Sequence, residues 1–89
     1  MKLIELSGIV KTTEAQVVEL KIQYEVEKAE ICLNTNWEEA IGKPKPTVAE
    51  KDSYATLQLA ELKKELELAK TELNALKREY EIKLLKFRL

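Results

Sequence analysis

The chain contains no histidine, one cysteine, two glycines and two prolines, and aromatic residues make up only 6% of its 89 positions. Each scarcity excludes something. Without histidine there is no side chain whose ordinary pKa lies near neutrality to act as an acid–base group, and the commonest metal ligand is missing. Cys32 alone cannot close an intrachain disulfide, so a disulfide-stapled secreted scaffold is ruled out. Four Gly and Pro residues are too few for the many turns of a β-sandwich or for a collagen-like repeat. Gly8 and Gly42 stand apart, so there is no glycine-rich phosphate loop. No stretch of about 18 apolar residues exists, so no membrane span is expected. The apolar start of the chain is broken by Glu5 and by Ser7-Gly8, too early for a secretory leader. Cytoplasmic residence is the expectation.

What is present is apolar and charged material in helical proportion. Apolar residues are 45%, charged residues 35%, and the formal charge is −1. The segment Gly42-Lys43-Pro44-Lys45-Pro46-Thr47 ends one helix and forces an extended connection. Thr47-Val48-Ala49-Glu50 then fits a capping box, a threonine hydroxyl for the free amides and a glutamate reaching back from three residues on. From Val48 onward Gly and Pro are absent, which predicts one helix over about 48–89. Before the connection a helix is predicted over about 8–41, starting near Ser7 or at the second capping-box candidate, Thr13-Glu14-Ala15-Gln16. Residues 1–6 read equally as an extended tail or an extra helical turn. Asn34-Thr35-Asn36 invites a break, because short polar side chains compete for backbone hydrogen bonds, with Asn36 capping a short piece from Trp37 to Ile41. The alternative is a helix running straight through. The predicted fold is all-α: a single hairpin of two long antiparallel helices over residues 1–89, coiled-coil-like, whose copies associate into a helical bundle.

The most informative pattern lies in the second helix. Ala55, Leu59, Leu62, Leu66, Ala69, Leu73, Leu76 and Tyr80 recur at steps of four and three, a heptad seam continued by Phe87. Lys83 interrupts it, and Leu84 is placed to take over. Lysines flank one side of the seam (Lys63, Lys70, Lys77) and glutamates the other (Glu65, Glu72, Glu79), which suits parallel self-pairing through a few tenths of a kcal/mol per pair. Pairing with the first helix is the other option. The two halves differ in charge: residues 1–42 hold four Lys and eight Glu, net −4, and residues 43–89 hold eleven Lys/Arg and eight Asp/Glu, net +3. That favours contact between them.

Each helix carries a second apolar stripe. On the first, Ala15, Val18, Ile22, Val26, Ala29 and Leu33 share a face with steps 3-4-4-3-4, an eleven-residue period expected of nearly straight packing, with Cys32 beside it as a small buried apolar residue. Val17, Leu20, Tyr24 and Ile31 lie opposite and are expected on the outside. On the second helix Leu57, Leu68, Ala75, Ile82 and Leu89 lie opposite the heptad seam. A hairpin buries one face of each helix, so the outer stripes call for a further partner. The seam residues Leu59, Leu62, Leu66, Leu73, Leu76 and Tyr80 and the outer set Val17, Leu20, Tyr24, Ile31, Leu57, Leu68 and Ile82 are therefore the candidate interface residues. The expected partner is the chain itself, as a dimer or tetramer, or another protein.

Other chemistry is thinly supplied. Glu38-Glu39 or Glu25 with Glu27 are too few, and too far from any inward-facing ligand set, to argue for metal. No catalytic constellation and no cofactor site are expected. Lys63, Lys64, Lys70, Lys77 and Arg78 form a basic ridge that supports an alternative, an accessory protein gripping nucleic-acid phosphates, although glutamates run beside it. The basic amphipathic end Lys83-Leu84-Leu85-Lys86-Phe87-Arg88-Leu89 reads as a seam end or partner-binding tail rather than a membrane-surface helix. Trp37, the only tryptophan, is expected to anchor the bend.

The run Leu33-Asn34-Thr35-Asn36-Trp37-Glu38-Glu39, the linker and helix start from Lys43 through Pro44, Pro46 and Glu50 to Tyr54, and Leu76-Lys77-Arg78-Glu79-Tyr80-Glu81 resemble small uncharacterised helical proteins encoded by phages and prophages of Gram-positive bacteria. The likeness is one of layout over roughly residues 29–84. It implies a cytoplasmic accessory role and no site residues of its own.

Overall fold

In a computed structural model, described over residues 2–88, four helices follow one another: α1 (Leu3–Asn34), α2 (Trp37–Ile41), α3 (Val48–Gln58) and α4 (Ala60–Arg88). There is no strand among the described residues. Long α1 packs along α4 and, near the bend, along α3, giving an antiparallel hairpin. Its extents are 64 × 17 × 16 Å, a long narrow rod. Leu89, the last residue of the outer stripe and of the second predicted helix, lies outside the described residues.

The helix ends follow local chemistry. At the bend the Asn36 carboxamide oxygen accepts from the Glu39 amide at 3.3 Å, starting α2 after a two-residue break. Gly42 ends it with φ +74°, donating to the Glu38 carbonyl at 2.9 Å, a left-handed cap that glycine adopts without a Cβ penalty. Thr47 and Glu50 form the reciprocal capping box, 3.2 Å in each direction. Lys43 lies 2.7 Å from the other Glu50 carboxylate oxygen. Its ammonium, and then the Thr47 amide, hold the Glu50 carboxyl below its ordinary pKa. Whatever this carboxylate contributes to stability is present above its unfolded pKa and lost as pH falls through the depressed folded value. Lys43→Ala is therefore expected to raise the Glu50 titration midpoint toward the ordinary carboxylate value in an NMR titration. Thr47→Ala is expected to cost about 1 kcal/mol in urea unfolding.

Two boundaries go beyond the sequence expectation. First, of the two alternatives for residues 1–6 the structure has the helical one: α1 begins at Leu3, ahead of Ser7 and Thr13. Leu6 is the reason: it is the most completely buried large side chain, so the first turns are held by packing instead of a polar cap. Gly8 lies inside this helix in ordinary helical geometry, with no atom within 4 Å of where a Cβ would stand. Gly8→Ala is accordingly expected to raise stability by about 0.5–1 kcal/mol, read as a higher urea midpoint at unchanged slope. Second, the predicted single helix after the linker is two. Leu59 leaves helical dihedrals (φ −103°, ψ 20°), yet its amide still donates to Ala55 at 3.0 Å and its carbonyl still accepts from Lys63 at 2.8 Å. The rod thus continues through one irregular turn.

Packing also reverses the two faces assigned to α1. Val17, Leu20, Tyr24 and Ile31 are half-buried on the side turned toward α4, whereas Val18, Ile22, Val26 and Leu33 are exposed. The physical reason is periodicity. The inward residues Leu3, Leu6, Val10, Thr13, Val17, Leu20, Tyr24, Glu27 and Ile31 step by three and four throughout, the same heptad period as the α4 seam. Two helices stay in contact over many turns only when their stripes drift at the same rate. The eleven-residue stripe drifts away from a heptad seam and is left outside. Thr13, buried within the inner set, satisfies its hydroxyl by donating to the Ile9 carbonyl at 2.9 Å.

Candidate interaction surfaces

The seam of α3 and α4 is filled within the chain. Ala55, Leu66 and Leu73 are buried, and Leu59, Leu62, Leu76 and Tyr80 are half-buried against α1. α1 occupies the place that parallel self-pairing of this seam would need. Towards the end of α4, Lys83 and Leu84 are both half-buried, while Phe87 is 81% exposed.

The flanking charges settle into mixed pairs. Lys77 reaches Glu14 of α1 at 3.5 Å, and Lys28 of α1 pairs with Asp52 of α3, so the acidic and basic halves do meet. The Asp52 hydrogen bond holds the Lys28 ammonium above its ordinary pKa. Lys63 sits 5.3 Å from the Tyr24 ring centre, a cation–π contact across the hairpin, and 3.4 Å from Glu67. Lys70 approaches the same carboxylate at 3.5 Å. Lys70, then Lys63, keep the Glu67 carboxyl below its usual value. Lys64 and Arg78 lie on the exposed outer side of α4.

At the bend Trp37 is 8% exposed and meets Tyr54 edge-on, with ring centres 5.3 Å apart and planes at 77°. Lys51 stands 6.0 Å from the centre of the indole. This buried anchor joins α2 to α3. Beside it an open apolar hollow of about 410 Å³ is lined by Ile41, Ala49, Glu50, Ser53, Tyr54 and Leu57. The sequence offered no direct sign of this hollow, which arises from the way α2 folds back on α3.

Apart from Ile9, Val48 and Phe87, the exposed large apolar residues fall on two opposite edges of the rod. On α1 they are Ile4, Val18, Ile22, Val26 and Leu33, with Ile22 55% exposed. On α3 and α4 they are Leu57, Leu68, Ile82 and Leu85, with Leu68 62% exposed. Leu85 was not among the outer residues read from the sequence, although it follows Ile82 at a helical step of three. Cys32 is half-buried with a free thiol, at the margin between the faces of α1. Among the described residues no group of three or more His, Cys, Asp or Glu stands together to hold a metal ion, and no helix is long and apolar enough to cross a membrane. In comparisons with known proteins the chain matches no family model, no curated protein and no solved structure.

Proposed function

We propose that this chain is a non-enzymatic scaffold or protein-interaction module of the cytoplasm that self-associates through the outer edges of a helical hairpin. The observation that carries the reading is the pair of exposed apolar edges. A rod of this size covers only one face of each helix, and leaving Val18, Ile22, Leu57 and Leu68 in water forgoes about 25 cal/mol for every Å² of apolar surface that a partner would cover. An accessory role in a phage or prophage fits the layout of the chain and its small size. The nucleic-acid reading has weaker support: Lys63, Lys70 and Lys77 of the basic ridge each lie against a carboxylate, which neutralises much of the field that phosphates would meet. Light scattering coupled to gel filtration over a range of loading concentrations tests the proposal. A mass above the 10.2 kDa of one chain is expected at tens of micromolar. A mass of one chain at every concentration would overturn self-association.

A further inference from the structure

The open end of the hairpin differs in charge from the rest of the rod. The Glu14–Lys77 pair at 3.5 Å, and the hollow that Ser7, Val10 and Lys11 share with Tyr80, set a register that lays residues 2–11 beside the last turns of α4. Two segments without any Asp or Glu, residues 6–13 and 82–88, come from opposite ends of the sequence and thereby lie side by side. Residues 2–11 and 82–88 together hold five Lys or Arg and one Glu, net +4. Residues 12–81 hold ten Lys or Arg and fifteen Asp or Glu, net −5. The cations of the open end are also less neutralised than those of the α4 ridge. Lys83 reaches Glu79 at 3.5 Å, but among the described residues Lys2, Lys11, Lys86 and Arg88 form no ion pair.

Apolar side chains stand among these cations. Ile4 is 80% exposed and Leu85 61%, and Phe87 lies open beside them although the heptad seam reaches it in sequence. Lys86 sits between Leu85 and Phe87, Arg88 follows, and Lys2 precedes the first turn of α1. A nucleic acid would satisfy the cations and leave three large apolar side chains in water next to them. A bilayer surface rich in anionic lipid satisfies both kinds of side chain. It takes the cations at its phosphates and the apolar groups at the boundary just beneath.

We infer that the open end of the hairpin docks on an anionic phospholipid surface, with Ile4, Leu85 and Phe87 entering the interface and Lys2, Lys86 and Arg88 meeting lipid phosphates. The inference goes beyond the proposed self-association and does not depend on it. Contact is end-on, because the residues that carry it occupy one end of a rod 64 Å long. The helices do not cross the bilayer; only their outermost turns reach the headgroups. Trp37 and the bend stand at the far end, away from the surface.

The test is flotation of the full chain with vesicles of phosphatidylcholine alone and of phosphatidylcholine mixed with phosphatidylglycerol. The wild-type chain is expected to float with the anionic vesicles only, and to be released as salt is raised. Lys86→Glu combined with Arg88→Glu is expected to weaken binding roughly thirtyfold or more, and Phe87→Ser roughly tenfold. Lys21→Glu combined with Lys45→Glu makes the same charge change at exposed sites remote from the open end, and is expected to weaken binding less than about threefold. All four sites of charge reversal and Phe87 are exposed, and circular dichroism checks that each variant remains helical. A bromine-labelled lipid is expected to leave the fluorescence of Trp37 unquenched. Failure of the wild-type chain to float with anionic vesicles would overturn the inference. Equal losses in the two charge-reversed variants, or quenching of Trp37, would overturn the end-on contact. Salt-sensitive binding to a DNA duplex that Phe87→Ser leaves intact, with no binding to vesicles, would assign the open end to nucleic acid instead.

Discussion

Leu66→Glu combined with Leu73→Glu is expected to unfold the hairpin outright, read as loss of the helical signal in circular dichroism at neutral pH. Leu66 is 2% exposed and Leu73 is buried one heptad further on, so both sit where α1 covers the seam. Truncation of a buried leucine costs about 2–5 kcal/mol before any charge is considered. A carboxylate in the same place adds a desolvation cost that the flanking Lys63, Lys70 and Lys77, already engaged with Glu67 and Glu14, only partly offset. A chain of 89 residues has a total stability of roughly 4–13 kcal/mol. Two such substitutions exceed the lower part of that range and approach its upper end. The milder Leu66→Ala is expected to remain folded with a lower urea midpoint. Retention of the full helical signal by the double variant would show that the seam does not hold the hairpin together.

Trp37→Ala is expected to have the next largest effect, a loss of about 3 kcal/mol, equivalent to a fall in Tm of roughly 12–24 °C. The indole fastens the short α2 to α3, through its edge-on contact with Tyr54 and the Lys51 ammonium near its face. α2 has only five residues, far fewer than a helix needs to persist alone, so its order derives from this anchor and from the Asn36 and Gly42 caps. Trp37→Phe keeps an aromatic ring against Tyr54 and is expected to recover more than half of the loss. Because Trp37 is the only tryptophan, the fluorescence of the wild-type chain reports the bend directly, and its unfolding transition is expected to coincide with that of the helices. Separate transitions would show that the bend opens independently of the hairpin.

The parts of this architecture that were legible in the sequence are those written in local chemistry. Pro44 and Pro46 mark the connection, Thr47 with Glu50 the start of α3, and Asn36 the start of α2, because caps and breakers act over a few residues. The α4 seam was legible because its period repeats over more than four heptads. The inner face of α1 was misread because apolar content alone cannot choose between its two stripes: Ala15, Val18, Ile22, Val26 and Leu33 are as apolar as Val17, Leu20, Tyr24 and Ile31, and Thr13 and Glu27 dilute the inward set. The signal that distinguishes them was present in the spacing, since only the inward set shares the period of its partner. The irregular turn at Leu59 had no sequence sign, with neither Gly nor Pro beside it. The hollow near Trp37 depends on the angle between two short segments, which no local pattern encodes.

The exposed edges and the buried seam divide α1 between two tasks: one face stabilises a single chain, and the other is left to join two. The most direct measurement sets Leu20→Gln beside Ile22→Gln, two residues apart on opposite faces, and follows urea unfolding at low concentration and mass at high concentration. Leu20→Gln is expected to lower the stability of the single hairpin by about 2 kcal/mol, the scale of a leucine side chain withdrawn from water. Ile22→Gln is expected to leave that stability within about 0.5 kcal/mol and to reduce the mass reached at high concentration. The opposite pattern, a destabilised Ile22 variant beside an unaffected Leu20 variant, would place the eleven-residue stripe inside the hairpin and the heptad stripe outside it.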